Sequence, residues 1–311
     1  MNEMDDVFSL VPNAMDVRGH LPHPKWETIS AWVEENVAPP SHDEAWKSIV
    51  HQWLVRLGDA LSPDYAVYES DEFVLLSSDA SLAPRVLDLC ERSRRIILET
   101  LNGVAQDEGF GKHVVLIFGE SDRYYDYVSE FYPDEGEFGL SGGMFFDSGY
   151  GHFVVSPGHG VELDRVIAHE LNHALLRHLP LPLWLDEGVT QFMEDVVLES
   201  SYFFVDHQLV RLHREYWNKE NIQSFWSGES FILSDDGQQL SYHLAQVLFR
   251  NLMADHSKKV REILLQANSR DAGNAAFVNV LGQTLADRVA QFLGSGPWST
   301  LSDYGAEDAS V

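Results

Sequence analysis

The stretch VIAHELNHALLRHLPLPLWLDEGVTQFMEDV, residues 166–196, decides how this chain is read. Val166, Ile167, Leu171, Ala174 and Leu175 recur at helical spacing and predict a helix from about Glu162 to Arg177. His169 and His173 lie four residues apart on it, so their imidazoles share one face. Two rings so placed can both reach one Zn²⁺ at about 2.0–2.1 Å. Glu170 is rotated about 100° from His169, where a carboxylate serves such a site as general base. A His-Glu-x-x-His pentad arises by accident roughly 0.05 times in a chain of this length and composition. The plainer alternative is a helix whose histidines meet only solvent or a polar core contact.

A catalytic zinc takes three protein ligands and keeps one position open. Downstream, Pro180 and Pro182 break the helix and force a turn. A second helix then runs from about Leu183 to Leu198, with Trp184, Glu187, Gln191 and Glu194 on one face. The short turn can bring Glu187 back over His169 and His173, and Gly188 permits close helix approach at some cost in helix stability. Asp186 is the competing ligand, but it points about 100° away and suits a hydrogen-bond acceptor or an exposed charge better. His178 falls on the wrong face, Glu194 reads as a solvated charge slightly better than as a hydrogen-bond partner of a ligand histidine, and His207, His213 and His256 read as isolated surface or packing residues.

Working outward, the chain before this stretch alternates strand and helix. Residues up to about 22 read as a loose leader. Ile29, Trp32, Val33 and Val37 mark a short helix ended by Pro39-Pro40, and Trp46 to Leu57 supply the stripe of a second one, about Asp43 to Leu61. Glu72 to Leu76 reads as a strand, Ala83 to Leu101 as a long helix, and the apolar run His113 to Phe118 as a strand buried on both faces. Asp122 to Phe131 reads as helical. Gly139 to Val155 reads as a β-hairpin turning near Asp147-Ser148-Gly149, and His152 to Val155 reads either as an edge strand for an extended peptide or, at least as well, as an ordinary member of the sheet. Beyond residue 198, helices are expected at about Ser241–Asp255, Lys258–Gln266 and Leu285–Leu293. The expected class is α+β: a small mixed-sheet lobe with helices, then a helical lobe, and a zinc site in the cleft between them. The expected division is a helical extension over 1–60, a main domain over 61–300 whose α/β half ends near 160, and an acidic tail over 301–311.

Composition sets the outer limits. The 311 residues are 44% hydrophobic and 12% aromatic, enough for a real core, yet 49 acids against 21 bases leave a net charge of −28. Such a surface repels phosphate backbones and anionic headgroups, which argues against nucleic-acid and membrane partners. The lone Cys90 excludes an intrachain disulfide and a cysteine-rich zinc site, and its apolar helical context marks a buried thiol. No basic n-region with an apolar core opens the chain, so the expected compartment is cytoplasmic.

His169-Glu170-Leu171-Asn172-His173 followed by Trp184-Leu185-Asp186-Glu187-Gly188 resembles the gluzincin superfamily, especially its compact peptidase MA-like members. The resemblance covers roughly residues 65 to 260 and implies a zincin-like fold, with Glu187 of the Trp-x-x-Glu-Gly box as third zinc ligand. Thr190 departs from the small apolar residue that often closes this box, and the short His-to-Glu spacing differs from thermolysin-like members. Leu176 and Leu179 stand where a metzincin needs Gly and His. The implied activity is peptide hydrolysis by Glu170-assisted attack of a zinc-bound water on a peptide or protein substrate. An oxyanion donor is implied on a later helix, at Tyr242 or, second to it, His243. A zinc hydrolase of a non-peptide amide or ester, and a non-catalytic binding protein keeping the fold, are the competing readings.

Overall fold

The computed structural model describes residues 6–131, 142–158, 160–233 and 236–305. Contacts divide the chain into two compact units. Of the described residues, one holds those through Arg95 together with Asp107–Ala174; the other holds Ile96–Gln106 and those from Leu175 to 305.

The first unit opens with a short helix α1 (Val7–Leu10), a hairpin of β1 (Met15–Arg18) and β2 (Leu21–Pro24), and helices α2 (Trp26–Asn36) and α3 (His42–Leu61). Strand β3 (Ala66–Glu69), strand β4 (Phe73–Ser77), helix α4 (Ala83–Thr100), strand β5 (His113–Ile117) and helix α5 (Ser121–Ser129) follow. Strands β6 (Gly143–Phe146) and β7 (His152–Val155) then lead into helix α6 (Val161–Leu176). The five-stranded sheet runs β3-β4-β5-β7-β6. β4, β5 and β7 are parallel, with Leu75, Val115 and Phe153 in register, while β3 and β6 close the two edges antiparallel.

β5 lies between two parallel strands, and this explains its unbroken apolar run. Val114, Leu116, Val74, Leu76 and Val154 join Trp53, Leu54 and Leu57 of α3 and Tyr124, Tyr127 and Val128 of α5 in one cluster. The alternate residues Phe73, Leu75, Val115 and Phe153 are also buried, so both faces of the sheet are covered. One polar pair crosses this core: the Tyr127 hydroxyl meets His152 Nε2 at 2.8 Å, while His152 Nδ1 meets the Tyr150 carbonyl at 2.8 Å. With Nδ1–H on the carbonyl, Nε2 accepts from the tyrosine. Burial holds the His152 pKa down at about 4, so the ring is neutral.

The segment expected to be a loose leader is folded from residue 6. Val7, Val11 and Ala14 pack with Ile29, Val33 and Ile49, and Leu21 enters the sheet cluster. The four-residue strands and Pro22 and Pro24 hide this hairpin from any periodicity test. α3 likewise belongs to the sheet core through Trp53, and α2 delivers Trp26 to the β6–β7 turn. Trp26 stands edge-on to Trp53, with centroids 5.1 Å apart, and tilted against Tyr150 at 5.5 Å. The expected hairpin is present over its described part, residues 142–155, with 139–141 lying outside the described residues.

The second unit is helical: α7 (Leu183–Leu198), α8 (His207–Tyr216), α9 (Asn221–Ser227), α10 (Asp236–His256), α11 (Val260–Gln266), α12 (Asn274–Leu281) and α13 (Leu285–Leu293). α7 and α10 pack most closely where Gly188 faces the Ala245 backbone; a β-carbon there would come within 2.8 Å of the Ala245 carbonyl oxygen. Trp184 fills the interior beside Trp226 and Phe277, its indole N–H donating to the Ala272 carbonyl at 2.9 Å. α8, α9 and α12 carry no expectation from the sequence. Each is ten residues or fewer, and α8 turns His213 rather than an aliphatic residue inward. Residues 306–311 of the expected acidic tail lie outside the described residues. Among the described residues, no helix is long and apolar enough to cross a membrane.

Gly149 has φ +73°, and a β-carbon on it would penetrate the Trp26 ring. Gly149→Ala is expected to lower unfolding free energy by about 2–4 kcal/mol in urea titration, backbone strain and overpacking adding. A loss under about 0.5 kcal/mol would mean that Trp26 does not cap this turn.

Candidate metal centre

α6 buries Leu163, Ile167, Ala168, Leu171 and Leu175, which leaves its fourth-residue ridge of His169 and His173 half-buried. Their Nε2 atoms are 3.0 Å apart, and the rings meet edge-on with centroids 4.7 Å apart. Glu170, next on the helix, is 7% exposed. On α7, Glu187 is 6% exposed. His169, His173 and Glu187 each offer one ligand atom, and these atoms all lie within 4.8 Å of one another.

The trio fits a metal ion on two grounds. Two imidazole nitrogens and one carboxylate oxygen are a donor set used by catalytic zinc, although not by zinc alone. Donors at about 2.0–2.1 Å from one ion in tetrahedral array lie about 3.4 Å apart; the histidine nitrogens stand close to this at 3.0 Å, and the widest pair, within 4.8 Å, reaches it by closing no more than about 1.4 Å.

The other expected residues are distributed as follows. Asp186 is half-buried beside Glu187 on α7. Glu194, expected to be a solvated charge, is 7% exposed and buried two turns past Glu187. Tyr242 lies on α10; its carbonyl accepts from Gln191 Nε2 at 3.1 Å and its ring stands edge-on to Phe231 at 5.1 Å. His178 is half-buried and His207 exposed. Cys90 is fully buried, and burial pushes its thiol pKa up, as expected for an inert core residue.

His213, read from the sequence as isolated, is paired with His243. The Trp217 indole N–H donates to His213 Nδ1 at 2.9 Å, so His213 carries its proton on Nε2. That N–H reaches His243 Nδ1 at 2.7 Å, and His243 in turn donates from Nε2 to the Phe204 carbonyl at 3.1 Å. The chain of donors fixes both tautomers and commits the Nε2 proton of His243 to the Phe204 carbonyl. The pairing is invisible in sequence because the partners are 30 residues apart, on α8 and α10.

Of the two readings of His152 to Val155, ordinary sheet membership holds and the edge strand does not. β7 is hydrogen-bonded on both sides, to β5 and β6, so His152 to Val155 have no free edge. β6 is the outermost strand on that side of the sheet. The chain matches no family model, and no curated protein matches it in sequence.

Burial, and next the neighbouring His243, hold the His213 pKa down at about 3; burial also lowers that of His243. Both lie below the unfolded value of about 6.5, so the unfolded chain takes up protons first as pH falls. The contribution of the neutral pair is therefore whole above pH 6.5 and is lost towards about pH 3. His213→Leu orphans the Trp217 N–H and should cost about 1–3 kcal/mol at pH 7. Its melting temperature should nevertheless fall less steeply than wild type between pH 6.5 and 4. Parallel slopes would show that the pair is not held neutral.

Proposed function

We propose that the chain is a single-zinc peptidase in which His169, His173 and Glu187 hold the ion and Glu170 is the general base. The supporting observation is the convergence of the three ligand atoms within 4.8 Å, with Glu170 adjoining His169 on the same helix. A zinc ion bound there would supply Lewis-acid polarisation of the substrate carbonyl and acidify the attacking water.

The chain's own groups do the rest. Glu170 removes a proton from water as its oxygen bonds to the carbonyl carbon. When the carbon–nitrogen bond breaks, the same carboxyl returns that proton to the leaving amine. Tyr242 is the proposed hydroxyl donor to the carbonyl oxygen as it gains charge. The net charge of −28 favours neutral or cationic peptides over acidic ones.

The test is zinc content beside turnover. Wild type should hold about one zinc per chain, and Glu187→Ala should lose it or bind it far more weakly. Glu170→Gln should keep the zinc while losing about 10²–10⁴-fold in kcat on a peptide library. Turnover of esters or non-peptide amides but not peptides would replace the peptidase by a hydrolase of that class. A zinc-free wild type after reconstitution, or full activity in Glu170→Gln, would overturn the proposal.

A further inference from the structure

Two glycines, Gly142 and Gly143, lie where β6 adjoins α6, and they differ in what surrounds them. A β-carbon on Gly143 would collide with Val166 Cγ1, come within 3.0 Å of the Val154 carbonyl oxygen and within 3.2 Å of Glu170 Cγ. A β-carbon on Gly142 would meet only Val166 Cγ2, at 2.8 Å, and nothing else within 4 Å. Neither glycine has a left-handed φ, so space rather than backbone conformation calls for glycine here.

Val166 and Glu170 are one turn apart on the same ridge of α6. The strand therefore lies in backbone contact with the ridge that carries the proposed base. The contact closes one side of the Glu170 stem and removes the rotamers that would swing it across β6. The Val154 oxygen belongs to the adjoining strand and cannot yield as a side-chain end can. A β-carbon at position 143 must displace the Val166 side chain first, and then presses on the Glu170 stem, which has to give by a few tenths of an ångström.

We infer that Gly143 is a positioning residue for Glu170: its missing side chain lets β6 wall in the Glu170 stem. The functional part of this inference rests on the peptidase reading of Glu170, but the wall itself does not. Correctly held bases matter because a misplacement of about 1 Å costs roughly 10²-fold in rate.

The experiment compares Gly142→Ala, Gly143→Ala and the double variant Gly143→Ala/Val166→Ala in the full chain. The ¹³Cγ resonance of Glu170, assigned by its loss in Glu170→Gln, is read in metal-free protein. Bound zinc, kcat and KM are read after zinc loading. Gly143→Ala should shift or split the Glu170 resonance while keeping the zinc content of wild type. Its kcat should fall about 10–100-fold with KM within about threefold of wild type. Gly142→Ala should leave the resonance and kcat in place. The double variant relieves the Val166 collision but keeps the Glu170 contact, so it should retain the shifted resonance and recover thermal stability. It carries the same reading should Gly143→Ala alone fail to fold. An unmoved Glu170 resonance in Gly143→Ala, or an equal shift in Gly142→Ala, would overturn the inference. A wild type without turnover whose Gly143→Ala variant still shifts the resonance would sink the peptidase reading and leave the positioning intact.

Discussion

Two backbones can touch only where no β-carbon stands between them, and this constraint recurs at the positions that matter most here. Gly188 brings α10 against α7 directly beside Glu187. Gly143 brings β6 onto α6 against Glu170. Gly149 lets Trp26 lie on the turn that joins β6 to β7. At Gly188 and Gly143 glycine's cost in backbone entropy is accepted in an ordered element, where alanine would be the more stable choice by propensity alone. The return is fixed relative placement, and a carboxylate that is to act as ligand or base depends on placement more than on composition.

How legible these features were depends on the range of the interactions behind them. The α6 and α7 helices, the β5 run and the α13 helix are written in local periodicity and appear at almost their expected bounds. The trio His169, His173 and Glu187 was legible for a related reason. Two of its members share one helix face, and the prolines between the helices leave few ways for the third to return. The β1–β2 hairpin failed that test, because its order comes from burying Leu21 and Ala14 against residues far along the chain.

The histidines show the same division. His213 has no local pattern to distinguish it from His207, yet one is fully buried in a relay of donors and the other is exposed. The relay needs Trp217 four residues on, His243 on another helix and a carbonyl from the segment between α7 and α8. Only the first of these is visible from neighbouring sequence. The edge of the sheet is likewise a property of strand order: β7 reads like β6 as a string, but parallel pairing with β5 places it inside.

The charge of the chain bears on the candidate centre from a different direction. Glu170, Glu187 and Glu194 are all buried in a protein whose formal charge is already −28. Withdrawing carboxylates from water is costly unless positive charge or several donors stand nearby, and background negative charge raises that cost. His169 and His173 are gathered with Glu187, and imidazoles are cationic only when protonated. A divalent ion would balance Glu187 while leaving both imidazoles neutral, the form in which they are ligands. On the proposed reading, the burial of Glu187 and the choice of histidine as its company would share one cause, a cation held among them.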